Sequence, residues 1–214
     1  PEAFRNNSSL AIVNKINKDC KISKQVKVKN TLSFLTKCSS IFRENINAKI
    51  ISITGSCGKT TLKEMIGHTL KSISKTTYSP KSFNNKYGVP LSLFDLKQDD
   101  KFGVLEVGMD KKGEIDNLTK IIRPDLGVIT NISYAHAKNF KSINKIAEAK
   151  AEIMNNIKKG GIVVLNMDDS FYDFHKKFAF KKKLKSITFG IYNKSSMVKL
   201  YKINKLENKY ELFI

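Results

Sequence analysis

The sequence has few cysteines and no long apolar run. Its three cysteines, Cys20, Cys38 and Cys57, are odd in number and form no C-x-x-C pair. This excludes a disulfide scaffold and a cysteine-rich zinc site, and it predicts a reducing compartment. No apolar run reaches the roughly 18 residues of a membrane span. What remains is a globular protein, because 41% apolar residues in a chain of 214 can build a core.

Arginine is also scarce, which bears on the strong positive charge. The formal net charge is +20, and a basic surface of this kind usually marks a nucleic-acid partner. Only Arg5, Arg43 and Arg123 are arginines among the 39 basic residues, and the lysines are spread along the whole chain. Since arginine is preferred for base reading and bidentate phosphate contacts, the composition argues against nucleic acid. A small anionic substrate agrees with the charge equally well.

Short apolar segments alternate with helical ones from residue 48 onward. The predicted strands are "KIISIT", "FGVLEV", "LGVITNI" and "GIVVLN", and the helices between them are "LKEMIGHTLKSI", "EIDNLTKII" and "SINKIAEAKAEIMNNI". Such alternation is typical of β-α-β crossovers and predicts an α/β fold, with a mostly parallel sheet and helices on both faces. After "SITFG", the segment "MVKLYKINKLENKYELFI" predicts two antiparallel strands around a turn at "ENK".

Residues 1–47 have a different pattern from residues 48–214. They predict two short strands, "LAIV" and "QVKV", and an amphipathic helix over "NTLSFLTKCSSIFREN". We therefore expect residues 1–47 to end one small α/β domain and residues 48–214 to form an incomplete second domain. The chain begins with Pro1 and its last residues resemble an unfinished strand, so we expect a piece of a longer polypeptide.

The segment "ITGSCGKTTLKEM", residues 53–65, predicts a phosphate-binding loop between a strand and a helix. Gly55 and Gly58 allow the backbone to wrap around phosphate oxygens. Lys59 can reach the β- and γ-phosphates, and Thr60 can place its hydroxyl on Mg²⁺. The loop is shorter than the common G-x-x-x-x-G-K-[ST] pattern, since Ile53 stands at the first glycine, and the alternative is a glycine turn with a solvated lysine. The nucleotide-binding residues that the pattern predicts are Gly55, Ser56, Cys57, Gly58, Lys59, Thr60 and Thr61.

Five further segments follow the loop in the order found in a known enzyme family. They are "SFNNKYGVPLSLF", "VLEVGMDKKGEI", "RPDLGVITNISYAHAKNF", "IAEAKAEI" and "VVLNMDD", and with the loop they lie between residues 51 and 169. The chain resembles the Mur ligases, whose loop has the same short G-x-x-G-K-[ST] form. Asn-Asn-x-x-Gly-x-Pro and Gly-Glu-Ile favour the MurF type, UDP-N-acetylmuramoyl-tripeptide:D-alanyl-D-alanine ligase, over its siblings and over the related folylpolyglutamate synthases.

The resemblance implies an ATP-dependent ligase of three domains, which bind in turn the uridine nucleotide, ATP and the incoming amino component. Residues 1–47 would end the first domain and residues 48–214 would form most of the central one, with the C-terminal domain absent. The implied reaction adds D-alanyl-D-alanine to UDP-N-acetylmuramoyl-tripeptide through an acyl phosphate and forms ADP, in peptidoglycan precursor synthesis. The implied enzyme is a monomer in the bacterial cytoplasm.

Other functions stay open at this point. One is a different ligase, either another Mur ligase or a folylpolyglutamate synthase-like enzyme. The other belongs to a different class, a non-enzymatic P-loop module that binds nucleotide or nucleic acid through the lysine excess.

Three residues are candidates for holding magnesium beside Thr60. Glu106 ends the strand "VLEV", where a carboxylate suits Mg²⁺, although a solvated strand-end glutamate is the common alternative. His136 follows the strand "LGVIT" and Lys150 lies mid-helix, and the residues alone indicate a structural histidine and a solvated lysine. The resemblance implies instead that His136 binds the second of two magnesium ions and that Lys150, carbamylated by CO₂, helps to hold it. The implied catalytic residues are Lys59, Glu106, His136 and Lys150.

A loop between Pro80 and Pro90 supplies candidate substrate contacts. Asn84 and Asn85 lie in it, and asparagine is common in turns for local hydrogen-bond reasons. The resemblance implies that both act on the muropeptide and the transferred phosphate, and that Asn131, after "VIT", orients the site. The implied substrate-binding residues are therefore Asn84, Asn85 and Asn131.

Overall fold

The computed structural model describes residues 2–134, 139–193, 195–207 and 209–214. The strands are β1 Ala11–Val13, β2 Gln25–Lys27, β3 Lys49–Thr54, β4 Thr76–Tyr78, β5 Phe102–Glu106, β6 Leu126–Ile129, β7 Ile162–Asn166, β8 Lys185–Gly190, β9 Val198–Lys199, β10 Lys202–Lys205 and β11 Tyr210–Phe213. The α-helices are α1 Glu2–Arg5, α2 Thr31–Glu44, α3 Lys59–Lys71, α4 Gly88–Phe94, α5 Glu114–Ile122, α6 Ile143–Ala151 and α7 Tyr172–Lys181.

Seven strands form one parallel sheet in the order β4–β5–β3–β6–β7–β8–β9. The central strand, β3, lies between β5 and β6, so the carboxyl ends of these three strands meet at the same edge. This arrangement confirms the predicted α/β fold. The loops that follow the three strands lie where ligands bind in open parallel sheets.

Helices cover both faces of the sheet. On one face, side chains from α2, α4, α5, α6 and α7 pack against strand residues that include Ile50 and Leu105. On the other face, α3 places Leu62 against Ile53 and Val104. Because strand side chains alternate between faces, β3 contributes to both layers and is buried along most of its length. None of the helices among the described residues has the length and apolar character needed to cross a membrane.

The elements that lie where the sequence pattern predicts none include β4, α4 and α7, and the short α1. Helix α4 begins with Gly88-Val89-Pro90, which the sequence analysis assigns to a loop. Proline is tolerated in the first turn of a helix, where its missing N–H has no partner to lose. The helix buries Val89 and Leu93 against the core, so tertiary packing stabilises it. At the other end of the chain, β9 extends the parallel sheet, and β10 and β11 form the predicted antiparallel pair.

The first 47 residues contain a parallel strand pair, β1 with β2, followed by α2. Helix α2 starts at an asparagine cap, since Asn30 Oδ1 accepts a hydrogen bond from the Ser33 N–H at 2.8 Å. The ring of Phe42 meets the ring of Phe94 edge-on, with centroids 5.3 Å apart. Helix α2 therefore packs against the helical layer of the seven-stranded sheet, and the domain boundary at residue 47 stays a prediction.

Candidate functional site

The loop between β3 and α3 owes its path to two glycines. Gly55 has φ +150°, and a Cβ there would lie 1.8 Å from Thr130 Oγ1, so no larger residue fits. Gly58 has φ +78°, in the left-handed region, and immediately precedes α3. The first N–H groups of α3, which have no partners within the helix, therefore lie at the loop together with the positive end of the helix dipole. This is the local geometry that binds phosphate.

The segment after β6 fixes the loop from the side. The Ser56 N–H donates to Asn131 O at 2.9 Å, and the Cys57 N–H donates to Asn131 Oδ1 at 3.1 Å. Thr130 Oγ1 donates to Cys57 O at 2.7 Å, and Ser56 Oγ donates to Ser133 O at 3.0 Å. The side chain of Asn131 thus shapes the loop, and its role in orienting the substrate site stays a prediction.

Lys59 and Thr60 begin α3 at the open side of this loop. Lys59 Nζ donates to Gly55 O at 3.0 Å, which folds the half-buried side chain back over the loop. Thr60 Oγ1 donates to Glu106 Oε2 at 2.7 Å. Thr61, the third predicted residue of this helical turn, is exposed. The first turn of α3 therefore presents an amine and a hydroxyl at the carboxyl edge of the sheet.

Glu106 is a buried carboxylate at the end of β5, with 1% of its surface exposed. Its Oε2 accepts from Thr60, and its Oε1 accepts from Asn84 Nδ2 at 2.6 Å. No basic side chain in the described ranges forms an ion pair with it. Since a buried carboxylate is costly unless a cation compensates its charge, this group is suited to a bound metal ion.

The two asparagines have different contacts: Asn84 binds the carboxylate of the site, and Asn85 binds backbone N–H groups at the start of a helix. The Asn84 side chain donates to Glu106, and the backbone carbonyl oxygen of Asn84 accepts from the Gly108 N–H at 2.8 Å. Asn85 Oδ1 accepts from the N–H groups of Tyr87 and Gly88, each at 3.0 Å, at the start of α4. Both residues line the cleft described below, with Asn84 tied to the carboxylate and Asn85 to a helix terminus.

Lys150 is a buried lysine without a partner in the described part of the chain. It lies in the last turn of α6 with 2% of its surface exposed. Burial, helped by the nearby charge of Lys59, lowers the pKa of its amine to about 7. The adjacent glutamates do not neutralise it, because Glu148 pairs with Lys145 and Glu152 accepts from backbone N–H groups of α5.

A cleft of about 500 Å³ joins Lys59, the asparagine pair and Lys150. Its lining residues are Lys59, Asn84, Asn85, Lys86, Tyr87, Gly108, Met109, Asp110, Glu114, Asn117, Leu118 and Lys150. Its charged residues are three lysines, Lys59, Lys86 and Lys150, and two acidic residues, Asp110 and Glu114. His136, the remaining predicted metal ligand, lies outside the described residues. Within the described ranges, no group of three or more His, Cys, Asp or Glu side chains could hold a metal ion, so a metal here would depend on hydroxyl, phosphate and water ligands as well.

The family of the Mur ligase middle domain matches residues 53–214, which include the loop, β5 and α6. The chain belongs to the Mur ligase family. A UDP-N-acetylmuramoyl-tripeptide--D-alanyl-D-alanine ligase of Buchnera aphidicola subsp. Baizongia pistaciae is 38% identical over 173 residues, which cover 81% of this chain and 37% of that protein.

Solved structures of other Mur ligases have the same fold. MurF from Acinetobacter baumannii matches with a TM-score of 0.88 at 30% identity, over 99% of this chain and 45% of that one. MurF from Thermotoga maritima, in complex with ADP, matches with a TM-score of 0.82 at 26% identity, over 99% of this chain and 48% of that one. These relatives confirm the predicted resemblance to Mur ligases of the MurF type. The chain spans less than half the length of each of them.

Some residues that shape this Mur ligase site are absent from the sequence-based list. Thr130 stands one residue beyond β6 and fixes the loop through Cys57. The strand-edge rule that selects Glu106 applies equally to Thr130 and could have found it. Lys86, just before α4, and Asn117, in α5, also line the cleft. No local sequence signal distinguishes them from surface residues.

Proposed function

We propose that this chain is the nucleotide-binding part of an ATP-dependent ligase that adds D-alanyl-D-alanine to UDP-N-acetylmuramoyl-tripeptide. The observation that carries the proposal is the meeting of the glycine loop and the Thr60–Glu106 pair at one sheet edge, beside a cleft lined by Lys59 and by Lys150, which has no partner among the described residues. The names of the relatives supply the substrates. In this proposal residues 1–47 end the uridine-nucleotide domain, residues 48–214 belong to the ATP domain, and the enzyme is a monomer in the bacterial cytoplasm.

The nucleotide would bind with its phosphates on the loop from Gly55 to Thr61. Backbone N–H groups and the helix terminus favour the phosphate charge, and Lys59 lies within reach of the terminal phosphates after leaving Gly55 O. The ADP in the Thermotoga maritima MurF structure supports a nucleotide in this family. Asn131 and Thr130 would keep the loop in its binding conformation through Cys57.

Magnesium would be held by Thr60 and Glu106, and a second ion by His136 and carbamylated Lys150. The donor set agrees with Mg²⁺, which takes one or two carboxylates together with phosphate oxygens and water. When bound, the metal neutralises charge on the phosphates. Lys150 is suited to carbamylation because its lowered pKa leaves much of the amine neutral near pH 7. The neutral nitrogen adds to CO₂ and releases a proton, so a buried cation becomes an anionic ligand.

The chemistry would then run in two steps at the cleft. The terminal carboxylate of the muropeptide attacks the γ-phosphorus and displaces ADP, which gives an acyl phosphate. The amine of D-alanyl-D-alanine attacks the acyl carbon, loses a proton and displaces phosphate. Phosphoryl transfer requires from the protein mainly positioning and charge neutralisation, and Lys59, Asn84 and Asn85, which line the cleft, would contact the carboxylate and the phosphate.

Phosphate release by the full-length protein tests the proposal. With ATP, Mg²⁺ and UDP-N-acetylmuramoyl-tripeptide, we expect sustained release only when D-alanyl-D-alanine is added, together with the ligated product. Folate with glutamate serves as the control substrate pair and should give no product. Product from that pair, or salt-sensitive DNA binding without any ligation, would contradict the proposal in favour of one of the alternative functions.

A further inference from the structure

A second lysine of α3 is buried one turn beyond the phosphate loop. Lys63 has none of its surface exposed. Its Nζ lies 2.7 Å from each of three acceptors, Ser79 O, Lys81 O and Glu64 Oε1. The ammonium group of Lys63 is therefore held by two hydrogen bonds to backbone carbonyls and by an ion pair with Glu64.

The two carbonyl groups belong to the segment that leads from β4 to the asparagine pair. Lys81 has φ +47°, in the left-handed region that non-glycine residues rarely adopt, so the segment is strained. Such a conformation persists only where its surroundings hold it. Lys63 does so by binding the carbonyl of Lys81 itself and that of Ser79, two residues earlier.

Ser79 links this segment to the strand that carries the carboxylate. The Ser79 N–H donates to Val104 O at 2.9 Å, and Ser79 Oγ accepts from the Glu106 N–H at 3.3 Å. Farther along, Asn84 donates to the Glu106 side chain. Lys63 therefore connects the helix that bears Lys59 and Thr60 to the loop that bears Asn84, and both meet at Glu106.

We propose that Lys63 is a positioning residue, which fixes residues 79–84 so that Asn84 holds the Glu106 carboxylate, and Ser79 the Glu106 backbone, in place for the metal of the bound nucleotide. The inference rests on the proposed function. It assigns Lys63 no contact with nucleotide or substrate, since its ammonium group is buried and already bound to two carbonyls and the Glu64 carboxylate. Loss of Lys63 should therefore weaken the metal-dependent part of nucleotide binding and leave the metal-independent part unchanged.

The test measures ADP binding to the full-length protein by calorimetry, in EDTA and over a magnesium titration. In Lys63→Met, which keeps the length of the side chain, we expect ADP binding in EDTA to stay within about threefold of wild type. The magnesium concentration that gives half of the maximal increase in ADP affinity should rise by about tenfold or more, as for other groups that support metal ligands. Lys158→Met is the matched control, because Lys158 binds Asp125 beside the amino end of β6.

A double-variant cycle separates positioning from general stabilisation. If Lys63 acts through Asn84, then Lys63→Met should raise the magnesium requirement by less than about threefold when Asn84→Ala is already present. If Lys63→Met instead raises the magnesium requirement by the same factor with and without Asn84→Ala, the inference is overturned. If Lys63→Met does not fold, Ser79→Ala decides, because it removes only the acceptor of the Glu106 N–H and should raise the magnesium requirement in the same direction.

Failure of the inference and failure of the proposed function give different results. A wild-type protein that binds ADP with magnesium, and a Lys63→Met variant with the same magnesium requirement, would overturn the inference alone. A folded wild-type protein that binds no ADP with magnesium would overturn the proposed function and the inference with it.

Discussion

Two buried lysines differ in whether the described residues provide partners for their amines. Lys63 and Lys150 are both almost completely inaccessible. Lys63 forms two hydrogen bonds and an ion pair, whereas Lys150 has no partner among the described residues and lines the cleft. A buried polar group without a partner destabilises a fold. Lys150 therefore costs stability at a place where a carbamate or a bound anion would use it.

Because Lys150 destabilises the fold, replacing it should increase the free energy of unfolding by an amount that depends on pH. The unfolded chain keeps the proton up to about pH 10.5, whereas the folded protein loses it near pH 7, so stability rises with pH between these values. We expect Lys150→Met to increase the free energy of unfolding by about 2 kcal/mol at pH 7, with a gain that shrinks toward pH 10.5. Urea unfolding of the full-length protein in CO₂-depleted buffer with EDTA measures this. Lys145→Met, on the same helix, is the control, and a Lys150→Met variant less stable than wild type at pH 7 would contradict the account.

At the scale of elements, the sequence predicts what local pattern determines. The bounds of β3 and α5 coincide with the predicted segments, because an apolar strand and a strongly amphipathic helix are visible in isolation. Strand β4 has only three residues, and α4 begins with a Gly-Val-Pro segment. Both form through tertiary contacts with residues distant in sequence, which a short stretch of sequence does not reveal. The same division holds in the site. The glycine loop and Glu106 follow from local rules, whereas the depressed pKa of Lys150 follows from burial in the folded protein.

The two glycines of the loop should respond very differently to an added methyl group. In Gly55→Ala the Cβ would collide with Thr130 Oγ1, so we expect the loop to move and nucleotide affinity to fall by more than about a hundredfold, or about 2.7 kcal/mol. At Gly58 no atom lies within 4 Å of an added Cβ, and Gly58→Ala should cost only the left-handed strain of about 1 kcal/mol. Fluorescent-nucleotide titration compares the two. Equal losses, or a harmless Gly55→Ala, would show that the contact with Thr130 does not set the loop.

At the scale of the whole molecule, two of the three arginines join the first 47 residues to the sheet. Arg43 is 3% exposed and donates to Ile46 O at 2.6 Å and to Ile122 O at 2.8 Å. Arg123, at the end of α5, donates to Glu44 Oε1 at 2.8 Å. Arg43 thus lies where one planar guanidinium group binds several backbone carbonyls, which a lysine amine would do less well.

The buried arginine should be important for the stability of this junction. Arg43→Met leaves the carbonyls of Ile46 and Ile122 buried without their donor, so we expect the free energy of unfolding to fall by about 3 kcal/mol. Arg5→Met, at the exposed end of α1, should change it by less than about 0.5 kcal/mol. Denaturant unfolding of the full-length protein measures both. A loss at Arg43 no larger than at Arg5 would mean that α2 is held by its apolar contacts alone.

The central claim is that one edge of the sheet holds nucleotide and metal through the glycine loop, Thr60 and Glu106. The most direct measurement is a crystal structure of the full-length protein with ADP and Mn²⁺, in which the metal is located by its anomalous scattering. The account predicts phosphates on the N–H groups of Gly58 to Thr61 and a manganese peak within about 2.3 Å of Thr60 Oγ1 and Glu106. A nucleotide bound elsewhere, or a manganese ion that Glu106 does not contact, would contradict it.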